Sequence, residues 1–241
     1  METNFLEGHK LTAENQGDLE KAIDDAGIRP RVEALKAFLN TELTQKGYKI
    51  EHRIFYLASF FDDPSRVHLN SIHLGRVTSR IGRELVGTSP ELAKVVWAAV
   101  IHDFGKHTIP HHLLDKTGKL TPDEYKIVQA HAAAGFYILQ SIQDMSDIAR
   151  LILSHHEKYD GQGYPLGIGG EKIPLGSRII TVVDSYDAMQ RNYSNGRSRT
   201  PEEACGEIVD GSGTKYCPHV VRAFKRVWHE LNDPKEGEDK D

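Results

Sequence analysis

At 241 residues the chain has room for one large domain or two small ones. Its composition, 39% hydrophobic and 27% charged, is that of a globular protein, and a formal charge of −5 leaves no broad basic footprint for duplex nucleic acid. No apolar run nears the ~20 residues that cross a bilayer, the first ten residues lack a secretory pattern, and two cysteines, Cys205 and Cys217, are too few for a disulfide scaffold. A soluble, cytoplasmic protein with no membrane partner is the expectation.

Residues 1–17 are polar and without period. From Asp18 to about Phe61 the spacing turns helical. Val32, Leu35, Phe38, Leu39 and Leu43 form one stripe behind Pro30, and "HRIFYLASFF" reads as a further helix stopped at Asp62-Asp63-Pro64. After Ser65 helical segments dominate. "NSIHLGRVTSRIGREL" is one. "SPELAKVVWAAVIHDFG" is the next, with Ser89 as N-cap, Pro90 in the first turn and Gly105 at the end. Thr121 and Glu124 form a capping box that opens a helix through "TPDEYKIVQAHAAAGFYILQSI". "SDIARLILSHHE" follows. "SRIITVVDSYDAM" is read as helix despite its β-branched residues, because its aspartates recur at helical spacing. "TPEEACGEIVD" and "PHVVRAFKRVWHEL" close the pattern. A short hairpin is expected near "GIGGEKIPLG", and the charged tail 232–241 is expected to be disordered. The fold class is all-α: a helical bundle over residues 66–231 behind a small helical region, residues 1–65, of unassigned role.

Thirteen histidines are many for this length, and where they fall decides what they mean. His102-Asp103 closes an apolar helix, which puts both at the rim of a buried core. His73 and His131 sit on predicted helices, and His155-His156 end another. Asp184 lies inside an apolar helix with Asp187 one turn on. Two adjacent imidazoles need a carboxylate, a phosphate or a metal ion as partner. Mixed imidazole and carboxylate donors suit iron, manganese or zinc better than magnesium or calcium. Each residue alone has an ordinary reading: His73 a partly buried helical histidine, Asp184 a structural carboxylate, and His107, His111 and His112 a solvated loop cluster. Their conjunction argues for a metal site.

"HDFGK" at 102–106 and "HHEKYDGQGYPLG" at 155–167 resemble the two signatures of the HD-GYP domain, a branch of the HD metal-dependent phosphohydrolase superfamily. The likeness runs from about Asn70 to Val227 and takes in "KTGKLTPDEY", "IPLGSRIITVVDSYDAM" and "PHVVRAF". It implies an HD-type helical bundle with two divalent metal ions, iron or manganese, with zinc also compatible. His73, His102, Asp103 and Asp184 would hold one ion. Asp103, His131, His155 and His156 would hold the other, with Asp103 bridging. The resemblance makes Asp103 and Lys106 catalytic, with Lys106 beside the scissile phosphate, and lets Gly163, Tyr164 and Pro165 shape the flanking loop. The implied reaction is hydrolysis of cyclic di-GMP to the linear dinucleotide or GMP. Two alternatives stand beside it: a metal-retaining regulatory module with a protein partner such as a diguanylate-cyclase domain, and a phosphohydrolase for another nucleotide. A homodimer is left open.

The sequence also departs from the family pattern. Some members hold a third ion through a glutamate where this chain has Leu69, so two ions are expected. In "QRNYSNGRSR", Tyr193 and Gly196 replace basic residues that contact substrate phosphates in the family. Arg191, Arg197 and Arg199 are the candidates to substitute for them. Cys217 and His111 each stand where an aspartate is usual.

Overall fold

The structure, a computed structural model, describes residues 4–44, 48–59, 68–191 and 198–232. Arg197, Tyr193 and Gly196, and the tail beyond 232, lie outside the described residues, as does the side chain of Leu69. The elements in chain order are α1 (Ala13–Asp25), α2 (Arg29–Leu39), α3 (Ile50–Ser59), α4 (His68–Val86), α5 (Pro90–Ile101), α6 (His111–Leu114), α7 (Pro122–Gln129), α8 (His131–Leu139), α9 (Ser146–Leu153), α10 (Leu175–Gln190), α11 (Pro201–Asp210) and α12 (Pro218–Asn232). Single 3-10 turns cover Phe104–Thr108 and Gly170–Lys172. Among the described residues there is no strand, only an isolated bridge between Ser212 and Tyr216. No helix among them is long and apolar enough to cross a membrane.

Local chemistry sets several helix starts. Ser89 accepts from the Leu92 N–H ahead of α5, and capping boxes at Thr121/Glu124 and Thr200/Glu203 open α7 and α11. The single helix expected from Thr121 onward is divided at Ala130, where the backbone unwinds slightly between α7 and α8. The expected hairpin is instead the turn at Gly170–Lys172. Gly167 and Gly170 take positive φ there, and the Gly170 N–H goes to the Tyr159 carbonyl inside the same loop, so no ladder forms.

The organising element is α8, whose sequence HAAAGFYIL is apolar on every side and correspondingly buried. It packs against α9, the 104–108 turn, α1 and α2. Its small residues allow close approach. A Cβ on Gly105 would lie 1.9 Å from the His131 carbonyl oxygen and 2.7 Å from the Gly135 nitrogen, so only glycine lets the turn after Asp103 reach α8. The N-terminal region shares this core: Phe5, Leu19, Ile23, Val32 and Leu39 belong to the same buried cluster as Ile138, Ile152 and Val183.

Candidate metal centre and its cavity

The ends of three helices and the middle of a fourth converge. His102 caps α5, and Asp103 and Lys106 sit at and in the turn that follows. His131 opens α8, His155 and His156 follow α9, and Asp184 lies on α10. Hydroxyls on α10 fix its register against α9. Ser177 donates to the Leu151 carbonyl at 2.8 Å and Thr181 to the His155 carbonyl at 2.7 Å, so Asp184 is placed relative to His155 within a turn of helix.

Three of the imidazoles are locked in the same way. Nδ1 of His102, His131 and His155 lies 2.8, 2.7 and 2.5 Å from the carbonyl oxygen three residues back, at Ala99, Val128 and Ile152. A carbonyl can only accept, so Nδ1 carries a proton and Nε2 faces the centre, where in a neutral ring it presents its lone pair. Those lone pairs point at one another. His131 Nε2 is 3.5 Å from His155 Nε2 and 3.2 Å from His156 Nε2, and Asp103 Oδ1 lies 3.5 Å from His131 Nε2. Ligand atoms of Asp103, His131, His155 and His156 all fall within 4.8 Å of one another. On the other side of Asp103, His102 Nε2 is 3.4 Å from Asp103 Oδ2 and 3.3 Å from Asp184 Oδ1.

The electrostatics sort the rings into two kinds. Burial pushes His131 down to about 4 and His155, with His102 and His131 nearby, down to about 3; burial also takes His156 well below its ordinary value. Burial acts on His102 as well, but the carboxylates of Asp103 and Asp184 outweigh it and lift the ring to about 10. Burial likewise works against both carboxylates. Lys106, whose Nζ is 2.6 Å from Asp103 Oδ2, together with His102 holds Asp103 well below the usual range, and His102 holds Asp184 down.

The donor set fits divalent metal. His102 Nε2 and Asp103 Oδ1 are buried without a hydrogen-bond partner, and three neutral imidazoles aim lone pairs into the same space beside a carboxylate. A cation satisfies all of them; in its absence the lone pairs repel. His73, like His102 and Asp184, is not among the four residues whose ligand atoms fall within 4.8 Å of one another. It is exposed on α4, and no contact among the described residues joins it to the other ligands.

The loop after the His-His pair folds back over it. A Cβ on Gly163 would lie 2.3 Å from the Lys158 nitrogen and 2.5 Å from the Glu157 Cα, so this close return requires glycine. Tyr164 then stacks on His156 with ring centroids 4.8 Å apart. Glu157, 1% exposed, receives the N–H groups of Leu166 and Gly167 on Oε1 at 2.7 and 3.1 Å. Burial raises its carboxyl to about 7 despite those donors. Sequence reasoning gave Glu157 no role, although an acid ahead of a glycine-rich run of free N–H groups was a usable signal. His107 is not in a solvated loop as expected: it is half-buried, with its ring 5.3 Å from that of Phe104. His111 and His112 are exposed.

A cavity of about 980 Å³ opens on the centre, with His155, His156, Asp184 and Tyr164 in its wall and Gly163 at its edge. Arg191 and Arg199 line it too, but Arg191 is ion-paired with Asp187, and Arg199 with Glu207 at 2.6 Å. Pro165 faces a smaller cavity of about 500 Å³ behind Tyr164, walled by Ala22 of α1 and by Ala26 just past its end.

An all-helical bundle with ligands at helix ends around an His-Asp pair is the architecture of an HD-type protein. The chain belongs to that family: the HD domain matches residues 50–220, and the signatures at 102–106 and 155–167 place it in the HD-GYP branch. It is 38% identical over 170 residues to a cyclic di-GMP phosphodiesterase of Thermotoga maritima, which covers 69% of this chain and 46% of the relative. It is 35% identical over 156 residues to a 3'3'-cGAMP-specific phosphodiesterase of Vibrio cholerae, covering 65% of this chain and 34% of the relative. The chain thus spans less than half the length of these relatives. Among solved structures, Bd1817, an HD-GYP protein of Bdellovibrio bacteriovorus, aligns with a TM-score of 0.55 at 14% identity, over 88% of this chain and 68% of the other. A cyclic GMP-AMP-specific phosphodiesterase of Vibrio cholerae aligns with a TM-score of 0.53 at 22% identity, over 68% and 44%. These two likenesses concern the fold.

Proposed function

We propose that the protein is a metal-dependent phosphodiesterase that hydrolyses cyclic di-GMP to the linear dinucleotide or GMP. The observation that carries this reading is the convergence of imidazole lone pairs and the Asp103 carboxylate in a cluster whose His155 and His156 line a cavity large enough for a dinucleotide. The names of the relatives supply the substrate. Asp103, His131, His155 and His156 would hold one ion. His102, Asp103 and Asp184 would hold a second, with His73 as the further ligand that the family resemblance assigns to it. Nitrogen and carboxylate donors favour iron or manganese, with zinc also compatible. When bound, such ions supply Lewis acidity toward water and phosphoryl oxygens.

The chain's own groups do the rest. Lys106 has its ammonium on the Asp103 carboxylate, where it can pass to a phosphoryl or leaving oxygen without leaving the site. The backbone carbonyls at Ala99, Val128 and Ile152 hold the rings in the tautomer that ligation needs. Tyr164 walls the centre from the smaller cavity behind it. On this reading the catalytic part is residues 66–231. The protein works in the cytoplasm, with a homodimer and a diguanylate-cyclase domain as the assemblies to look for.

The test is turnover. Anaerobically purified protein reconstituted with iron or manganese is incubated with cyclic di-GMP and the products separated by chromatography. Linear dinucleotide or GMP is expected. Full metal occupancy without cleavage would sink the reading and favour a binding module. Faster cleavage of 3'3'-cGAMP would move the substrate but keep the chemistry.

A further inference from the structure

A cyclic dinucleotide carries two phosphates on one ring. If one is cleaved at the metal centre, as proposed above, the other must lie elsewhere in the same cavity. Four basic side chains line that cavity among the described residues: Lys158, Arg191, Arg199 and Lys215. The two arginines already have carboxylate partners, Asp187 and Glu207. The two lysines have none among the described residues. Lys215 Nζ rests over the Tyr216 ring, 5.0 Å from its centroid, a contact that leaves the ammonium charge uncompensated.

The lysines are also neighbours by construction. The chain after the His-His pair runs alongside residues 214–215. Tyr159 donates its N–H to the Lys215 carbonyl at 3.3 Å, and Asp160 donates to the Thr214 carbonyl at 2.8 Å. Lys215 is held in turn through its own N–H to the Gly211 carbonyl at 3.0 Å. The pair therefore rises beside a backbone crossing at Tyr159 and Asp160, with Lys158 two residues beyond His156.

We propose that Lys158 and Lys215 form the subsite for the second, non-scissile phosphate. They take over from the family's basic residues, which this chain replaces with Tyr193 and Gly196. The inference rests on the phosphodiesterase reading for its substrate but not for its geometry. It assigns the grip to residues other than Arg191 and Arg197. Two point-charge ammonium groups suit a phosphate whose position is set by the ring rather than by a planar fork.

The test compares wild type with the double variant Lys158→Gln, Lys215→Gln, both metal-loaded, with metal content as the control for an intact centre. Substrates are cyclic di-GMP and bis(p-nitrophenyl) phosphate, a diester with a single phosphate. Binding of a phosphorothioate analogue of cyclic di-GMP is measured in parallel. The ratio of kcat/KM for cyclic di-GMP to that for the one-phosphate diester is expected to fall at least about tenfold, mainly through KM, and analogue binding to weaken equally with a shallower salt dependence. An unchanged ratio with unchanged analogue affinity would overturn the subsite while leaving the phosphodiesterase standing. Weakened analogue binding in the variant, with no turnover by wild type, would do the reverse. Absence of analogue binding to metal-loaded wild type would overturn both.

Discussion

In the inner cluster, His102, His131 and His155 each give Nδ1–H to a carbonyl three residues back, which turns Nε2 toward the centre, and in the neutral rings of His131 and His155 that nitrogen is a lone pair. At the outer rim of the same cavity, Arg191 and Arg199 are held by the side chains of Asp187 and Glu207, and their charges are already answered. The first arrangement is fixed by backbone and is incomplete until a cation arrives. The second is complete as it stands and rests on exchangeable side-chain pairs. A buried, unsatisfied set has one solution and tolerates little change, whereas an exposed ion pair such as Arg199 with Glu207 can be rebuilt residue by residue.

Three measurements would break or sharpen that contrast. The largest effect is expected at Asp103, which faces both halves of the cluster. Asp103→Ala should lose bound metal from both positions and lower diesterase activity by on the order of a thousandfold or more, read by elemental analysis and kinetics. Retention of full metal content would mean that the two halves do not share this carboxylate.

The second concerns pH. His131 and His155 are held neutral by burial, at about 4 and about 3. In metal-stripped protein the unfolded chain therefore takes up their protons first. The stability that depends on them is complete above about 6.5 and is lost as pH falls toward the folded values, by up to about 1.4 kcal/mol per pH unit for each ring. His102, lifted to about 10, is protonated in both states below 6.5 and adds no slope there. Urea midpoints at pH 7, 6 and 5 should fall accordingly, and bound metal should move the fall to lower pH. A flat series would show that the rings are not held neutral.

The smallest effect is expected at Glu157, between cluster and rim. Glu157→Gln keeps an oxygen for the Leu166 and Gly167 N–H groups and should cost less than about 1 kcal/mol. Glu157→Ala strands both donors and should cost about 1.5–3 kcal/mol, with a raised KM as Tyr164 loosens over His156. Denaturant titration and steady-state kinetics separate the two. Equal behaviour of the variants would deny the loop its anchor.

How far these features were legible depends on how local their causes are. Ser89, Thr121 and Thr200 start helices through bonds to residues three positions on, so sequence alone locates them. The histidines at helix ends were legible as a set because their types and spacing are unusual together. What decided the rest lies far along the chain. Phe5 sits in a stretch without period yet is 1% exposed, because a pocket between other helices takes it up. The absence of a hairpin near Gly170 comes from the bond of its N–H to Tyr159, eleven residues back, a pairing that the local pattern does not announce. His73 is placed in the ligand set by family likeness alone, and its exposed position on α4 is a fact that no pattern in the sequence announced.

Residues 5–9 merit a last consideration. The Phe5 carbonyl accepts the Gly176 N–H at 3.0 Å, the His9 N–H reaches the Lys172 carbonyl at 2.7 Å, and Arg150 reaches the His9 carbonyl at 3.4 Å. This short strap thus stitches together the roots of α9 and α10, the helices that deliver His155, His156 and Asp184. Displacing residues 5–9 would therefore disturb directly the two helices behind the ligands, without touching the cavity's lining.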